Sequence, residues 1–160
     1  MDYIWTPWRY RYVTTGGPEE CVFCAAAASP NDREWLIVHR GVYNFVILNR
    51  FPYTSGHLMV VPNQHVSTLQ DLPDEATTEM MRLAREAERH LRALYNPDGM
   101  NFGMNIGKSA GAGIASHLHM HALPRWYGDT NFMTVVSETR LLPEELEITW
   151  ERLRDAWAAK

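Results

Sequence analysis

The chain has 160 residues, 46% of them apolar and 21% charged, with a formal net charge of −4. That is enough for one domain with a real core, and the acidic balance argues against a basic nucleic-acid-binding surface. No run of about 18 apolar residues occurs, so a membrane span is not expected, and two cysteines are too few for a disulfide scaffold.

Residues 1–20 read as an aromatic arm that packs on this subunit or on a partner. Its opening, Met1-Asp2-Tyr3-Ile4-Trp5-Thr6-Pro7-Trp8-Arg9, lacks the apolar core of a signal peptide, so a cytoplasmic protein is expected. Next comes Cys21-Val22-Phe23-Cys24. The β-rich runs Glu34 to Val38 and Asn44 to Asn49 form a plausible hairpin around Gly41, and His57 to Val61 is a third strand ended by Pro62. Asp71-Leu72-Pro73-Asp74-Glu75 supplies a helix start with Asp71 as the cap. Behind it Ala76, Met80, Leu83, Ala87, Leu91 and Leu94 fall on one apolar stripe, and Asn96-Pro97-Asp98-Gly99 stops the helix. A fourth strand, Asn101 to Ile106, leads through the glycine-rich segment 107–113 to a histidine strand. The last helix starts at Pro143, within 140–160, and carries Leu146, Trp150, Leu153 and Trp157 on one side. The expected fold is α+β over a single domain, 1–160, with about five antiparallel strands, a long helix and a C-terminal helix.

The histidine strand is the most informative segment: Ser116-His117-Leu118-His119-Met120-His121-Ala122-Leu123-Pro124. Strand side chains alternate, so His117, His119 and His121 share one face while Leu118, Met120 and Ala122 take the other. On a helix the middle histidine would swing away from the outer pair. Three imidazoles on one face suit metal binding, nucleophilic attack or proton transfer, because neutral and cationic forms are both accessible near pH 7. The preceding loop, with Gly107, Lys108, Ser109, Gly111 and Gly113, lets backbone N–H groups approach a phosphate. A phosphate held there lies near His119, whose neutral ring can attack phosphorus to give a covalent intermediate.

Cys21 and Cys24 offer two thiolates to a tetrahedral zinc, with His65 and His117 available as the remaining ligands. A reduced buried pair and a redox dithiol stay open as alternatives. His57 either braces a triad ring or is a satisfied core histidine, and His39 and His90 are expected to face solvent. Asn49 and Asn105, each ending a β-rich run, suit sugar hydroxyls or phosphate oxygens, or simply end their strands.

The segment His117-Leu118-His119-Met120-His121-Ala122-Leu123 resembles the motif of the histidine triad (HIT) superfamily of nucleotide hydrolases and transferases, and the likeness spans most of the chain. Asn49 and Gly56-His57-Leu58-Met59-Val60-Val61-Pro62 are similar to its nucleoside-binding segment. Trp5-Thr6-Pro7-Trp8-Arg9, the CxxC and Gly128-Asp129-Thr130-Asn131-Phe132 look like a bacterial Fhit-like branch, often described as diadenosine tetraphosphate (Ap4A) phosphorylases or hydrolases. The resemblance implies a homodimer with one continuous sheet and a purine nucleotide or dinucleoside polyphosphate in each cleft. It implies His119 as nucleophile at the α-phosphate and His121 beside the leaving group, with His57 behind them. Asn49 would meet the ribose and Asn105 would lie near the phosphates, and the loop before the triad offers Gly111, Gly113 and Ser116 as further nucleotide-binding residues. Structural zinc on Cys21, Cys24, His65 and His117 is implied, and no organic cofactor.

Where relatives acting on dinucleoside polyphosphates often place Gln or Ser before the triad, this chain reads Gly111-Ala112-Gly113-Ile114. Ser109 or Ser116 would then take the phosphate contact, and adenylylated amines or small nucleoside phosphates are alternative substrates. Two further readings remain: a metal-dependent hydrolase holding its ion on the His-x-His pair with Asp129, and a nucleotide-binding sensor with negligible turnover.

Overall fold

The structure, a computed structural model, describes residues 21–129 and 144–159. The expected aromatic arm, residues 130–132 and the start of the last helix at Pro143 lie outside these. A short helix α1 (Val22–Ala28) and the single turn α2 (Asp32–Trp35) precede strands β1 (Ile37–Arg40), β2 (Asn44–Leu48) and β3 (Leu58–Pro62). Helix α3 (Asp74–Tyr95) follows, then β4 (Gly99–Met104), β5 (Met120–Arg125) and α4 (Leu146–Ala158). The strands form one five-stranded sheet in the order β1-β2-β3-β5-β4, every neighbouring pair antiparallel.

The alternation of side chains divides the sheet into two faces. Val46, Leu48, Leu58, Val60, Met120 and Ala122 pack with Met80, Leu83, Ala87 and Leu91 of α3 and Leu153 and Trp157 of α4. Each fully buried aliphatic side chain here contributes about 1.5–3 kcal/mol. The opposite face carries Phe45, Ile47, Met59 and Val61, covered by Phe23 and Ala26 of α1. One face therefore holds the main core, while the other supports the histidines.

Several expectations are corrected. The run from Glu34 to Val38 is not one strand. Asn31 accepts from the Glu34 N–H at 3.3 Å and caps α2, and Leu36 turns left-handed (φ 60°) before β1 starts. Asp71 does not cap α3; it accepts from Thr68 in a separate turn, and Pro73 occupies the cap position. Strand β4 begins two residues earlier than expected and stops before Asn105.

Pro124 does not close β5. Pairing with β3 ends at Ala122 opposite Leu58, so the missing N–H of Pro124 interrupts no bond while β4 continues alongside. His90 is buried against the Trp157 ring, and His39 is half-buried and stacks on that same ring, so neither faces solvent as expected.

The hairpin around Gly41 is held by the carboxylate of Glu79. It accepts from the backbone N–H groups of Val42, Tyr43 and Asn44 at 2.9, 2.7 and 2.8 Å, and from the Asn44 amide at 3.0 Å. Burial raises the carboxyl pKa, but these bonds outweigh it and hold the group below its ordinary value. Gly41 is required by proximity, since a Cβ there would lie 2.9 Å from the Glu79 carboxylate.

Candidate active site and metal centre

His121 lies in β5, opposite Met59 of β3 on one side and Gly103 of β4 on the other. His117 and His119 precede the strand, but the alternation persists. Both are buried, at 0% and 5% exposure, on the face away from Leu118 and Met120. The rings of His119 and His121 stand edge to face, 4.9 Å apart. Phe23 packs on His119 at 5.1 Å and on His117 at 5.4 Å.

The hydrogen bonds assign a tautomer to each ring. Nδ1 of His119 lies 2.9 Å from the His117 carbonyl oxygen. A carbonyl only accepts, so the proton sits on Nδ1 and the lone pair on Nε2. Burial lowers the His119 pKa, against a hydrogen bond that favours its cation. The ring is a neutral base whose outer nitrogen carries an available electron pair.

His57 Nδ1 accepts from the Tyr53 N–H at 3.2 Å, with the Asn49 amide nitrogen 3.3 Å away. Its proton is therefore on Nε2, which donates to His121 Nδ1 at 2.9 Å and leaves His121 with an Nε2–H donor. Burial, reinforced by His119, pushes the His121 pKa down to about 4. The pair thus presents a nucleophilic nitrogen beside a neutral N–H donor. His57 is fully buried and takes the bracing position. It is aimed by Gly56, whose left-handed backbone (φ 77°) and close approach to Leu91 exclude a side chain.

Asn49 is joined to the cluster through His57, and its carbonyl accepts from the Phe51 N–H at 2.9 Å. Asn105 directly follows the end of β4, just beyond the Met104–Met120 pair. In the glycine loop, Gly107 and Gly111 have φ of 84° and 89° around the turn Lys108–Ala110, a conformation glycine adopts without strain. Ile114 pins the loop to the cluster containing Phe23. Gly113 and Ser116 are exposed.

A separate cluster forms around the CxxC. Sγ of Cys21 lies 3.3 Å from His117 Nδ1, and Sγ of Cys24 lies 3.2 Å from His65 Nδ1 and 3.6 Å from His117 Nδ1. The two Nδ1 atoms are 3.2 Å apart. Metal–nitrogen and metal–sulfur bonds of about 2.0 and 2.3 Å give tetrahedral edges of roughly 3.3–3.8 Å, so these donors fit one ion. His117 donates Nε2–H to the Pro62 carbonyl at 2.9 Å, which leaves Nδ1 free to ligate, the usual outer support of a metal-bound imidazole. The four groups Cys21, Cys24, His65 and His117 can hold a metal ion.

No carboxylate belongs to this set, and Asp129, the acid named for a catalytic metal, is paired with Arg125 at 2.8 Å. Two contributors escaped the sequence reading: the Phe23 ring and the Tyr53 N–H. Phe23 is legible as the inner residue of the CxxC, while a backbone donor has no sequence signal.

Comparison with known proteins agrees with this geometry. The HIT domain family matches residues 36–127. The "AP-4-A phosphorylase" of Mycobacterium tuberculosis is 39% identical over 99% of this chain and 85% of its own length. A zinc-bound histidine triad family protein from Mycobacterium smegmatis superposes with a TM-score of 0.69 at 31% identity, covering 87% of this chain and 94% of that one. The Plasmodium falciparum diadenosine triphosphate hydrolase shares the fold at 20% identity, with a TM-score of 0.63 over 80% of this chain and 76% of that one. The chain belongs to the HIT domain family.

Proposed function

We propose that the protein is a nucleotidyl transferase or hydrolase acting on dinucleoside polyphosphates of the Ap4A kind, through a covalent nucleotidyl-His119 intermediate. The observation that carries this is the assigned tautomer of His119, whose Nδ1–H is committed to the His117 carbonyl while Nε2 holds the electron pair. The similarity to the mycobacterial phosphorylase supports the substrate class.

In the first step Nε2 of His119 forms a bond to the α-phosphorus, and the bond from that phosphorus to the bridging oxygen breaks, releasing ATP. Positive charge on the new imidazolium is shared with the His117 carbonyl through Nδ1–H. His121 donates its Nε2–H bond to the departing oxygen. Its low pKa suits this role, because the polyphosphate leaves as a stable anion and needs a donor rather than a full proton. His57 keeps that donor on the correct nitrogen.

Asn49 is assigned to the ribose, and Asn105, Gly111, Gly113 and Ser116 to the phosphates. In the second step an oxygen of inorganic phosphate or of water attacks the same phosphorus, regenerating His119 and releasing ADP or AMP. Cys21, Cys24, His65 and His117 would hold a zinc ion, which would tie the two thiolates and two imidazoles into one structural anchor. Strand β4 is the open sheet edge with Phe102 exposed, and we assign it to a homodimer with one continuous sheet.

The test is incubation of the purified protein with Ap4A, with and without inorganic phosphate, with products identified by mass. ADP appearing only with phosphate identifies a phosphorylase. AMP plus ATP without phosphate identifies a hydrolase. No product from either condition contradicts the dinucleotide reading and directs the search to adenosine phosphoramidates.

A further inference from the structure

We propose that the Cys21, Cys24, His65 and His117 centre positions the His119 ring, acting through His117 as the positioning residue. The inference rests on the reading of His119 as nucleophile and extends it to what holds that nucleophile in place.

The sheet stops short of the first two histidines. Pairing of β5 with β3 ends at Met120 opposite Val60, and pairing with β4 ends at Met120 opposite Met104. His117 and His119 therefore lie beyond both ladders. Of the backbone around them, the Leu118 N–H is tied down, bonding to the Val66 carbonyl at 2.7 Å. The carbonyl that fixes the His119 tautomer thus belongs to a residue outside both ladders. His117 is instead held by its own side chain, with Nε2 on the Pro62 carbonyl and Nδ1 among the ligands of the metal centre. A ring gripped at both nitrogens fixes its Cα and the direction of the following carbonyl.

Phe23 makes a second connection. Helix α1 is a seven-residue segment with no side-chain cap, too short to be stable on its own. Cys21 caps its N-terminus and Cys24 lies in its first turn, one on each side of Phe23 in the chain, so closing the centre also seats the Phe23 ring against His119 and His117. One ion, by gathering four side chains, would determine both the hydrogen bond and the packing that orient the nucleophile. A remote staple would stabilise the fold without touching either.

The test uses the full-length zinc-loaded protein and His65→Ala. His65 is exposed and outside the triad, so its loss opens the centre while leaving every triad side chain in place. The expected result is a folded variant whose kcat on Ap4A falls about tenfold or more, with KM within about twofold, in the range usual for lost support of a metal-bound ligand. Long-range nitrogen–proton spectra of the histidine rings should show His119 as a single Nδ1–H tautomer in the zinc-loaded protein and as a mixture in the variant. His65→Cys, which restores a ligand, should recover both readings.

Unchanged kcat and an unchanged His119 tautomer in His65→Ala would overturn the proposal. Should that variant fail to fold, the wild-type protein loaded with cobalt decides. Titration with AMP should shift the visible cobalt absorption, since a nucleotide packed on the His119 ring acts on the His117 carbonyl bonded to it and, through the His117 ring, on the ligand geometry at the ion. A cobalt spectrum indifferent to saturating AMP would overturn the proposal. If the wild-type protein turns over no nucleotide at all, the functional reading fails, while the ring-tautomer comparison still decides whether the centre positions His119.

Discussion

At the scale of single residues, the proposed reaction divides among three rings according to their hydrogen bonds. His119→Ala should lower turnover on the order of 10⁴-fold or more while leaving AMP affinity nearly intact by calorimetry, because the group removed is the proposed nucleophile. Retained turnover would require another nucleophile. His57→Ala removes the donor that fixes His121 and should lower kcat roughly 10²-fold, with a smaller effect on KM.

The pH dependence follows from His121. Its pKa is pushed down to about 4, so between roughly pH 6.5 and 4 the folded ring is neutral while the unfolded one is protonated. The folded state binds fewer protons there, so the stability present above pH 6.5 is lost as the pH falls toward 4. Melting temperatures measured across this window should drop with acidification, and His121→Asn should flatten that drop. The shared face of His117, His119 and His121 was legible in the sequence, since alternate residues share a face in any extended segment. The tautomers were not legible, because they depend on the carbonyl of His117 and the N–H of Tyr53.

At the scale of elements, local chemistry was read well where one signal acted alone and poorly where two competed. The stripe of α3 is buried as its spacing required, and Asn96 ends the helix in the left-handed conformation (φ 44°). The run from Glu34 to Val38 misled because its apolar residues fit a strand, while the Asn31 cap with Asp32 and Glu34 starts a helical turn first. Glu79 gave no sequence signal, because its partners lie 35 to 37 residues away in the hairpin.

Glu79→Ala strands three backbone N–H groups and should cost about 3 kcal/mol in urea unfolding, with hydrogen bonds to a charged group counting most. Because its folded pKa is lowered, the Glu79 contribution is present above the unfolded carboxylate pKa and is lost as the pH falls through the folded one. Glu79→Gln, which keeps the shape without the charge, should lie between the two.

At the scale of the molecule, the sheet separates support from chemistry. Helices α3 and α4 fill one face, and α1 with the cluster of Cys21, Cys24, His65 and His117 closes over the other, so the histidines stand on a packed floor. The open β4 edge carries the assembly claim: Phe102→Lys should shift the sedimentation coefficient from dimer to monomer, charge on an edge strand opposing pairing. A dimer unaffected by that change would place the interface elsewhere.

The central claim is that the α-phosphorus is attacked first by His119 and only then by the final acceptor. The most direct measurement is the stereochemical course at that phosphorus, using Ap4A carrying sulfur in one known configuration on the α-phosphate. Two in-line displacements predict product with retained configuration. Inversion would mean that phosphate or water attacks directly, and would contradict the nucleotidyl-His119 intermediate.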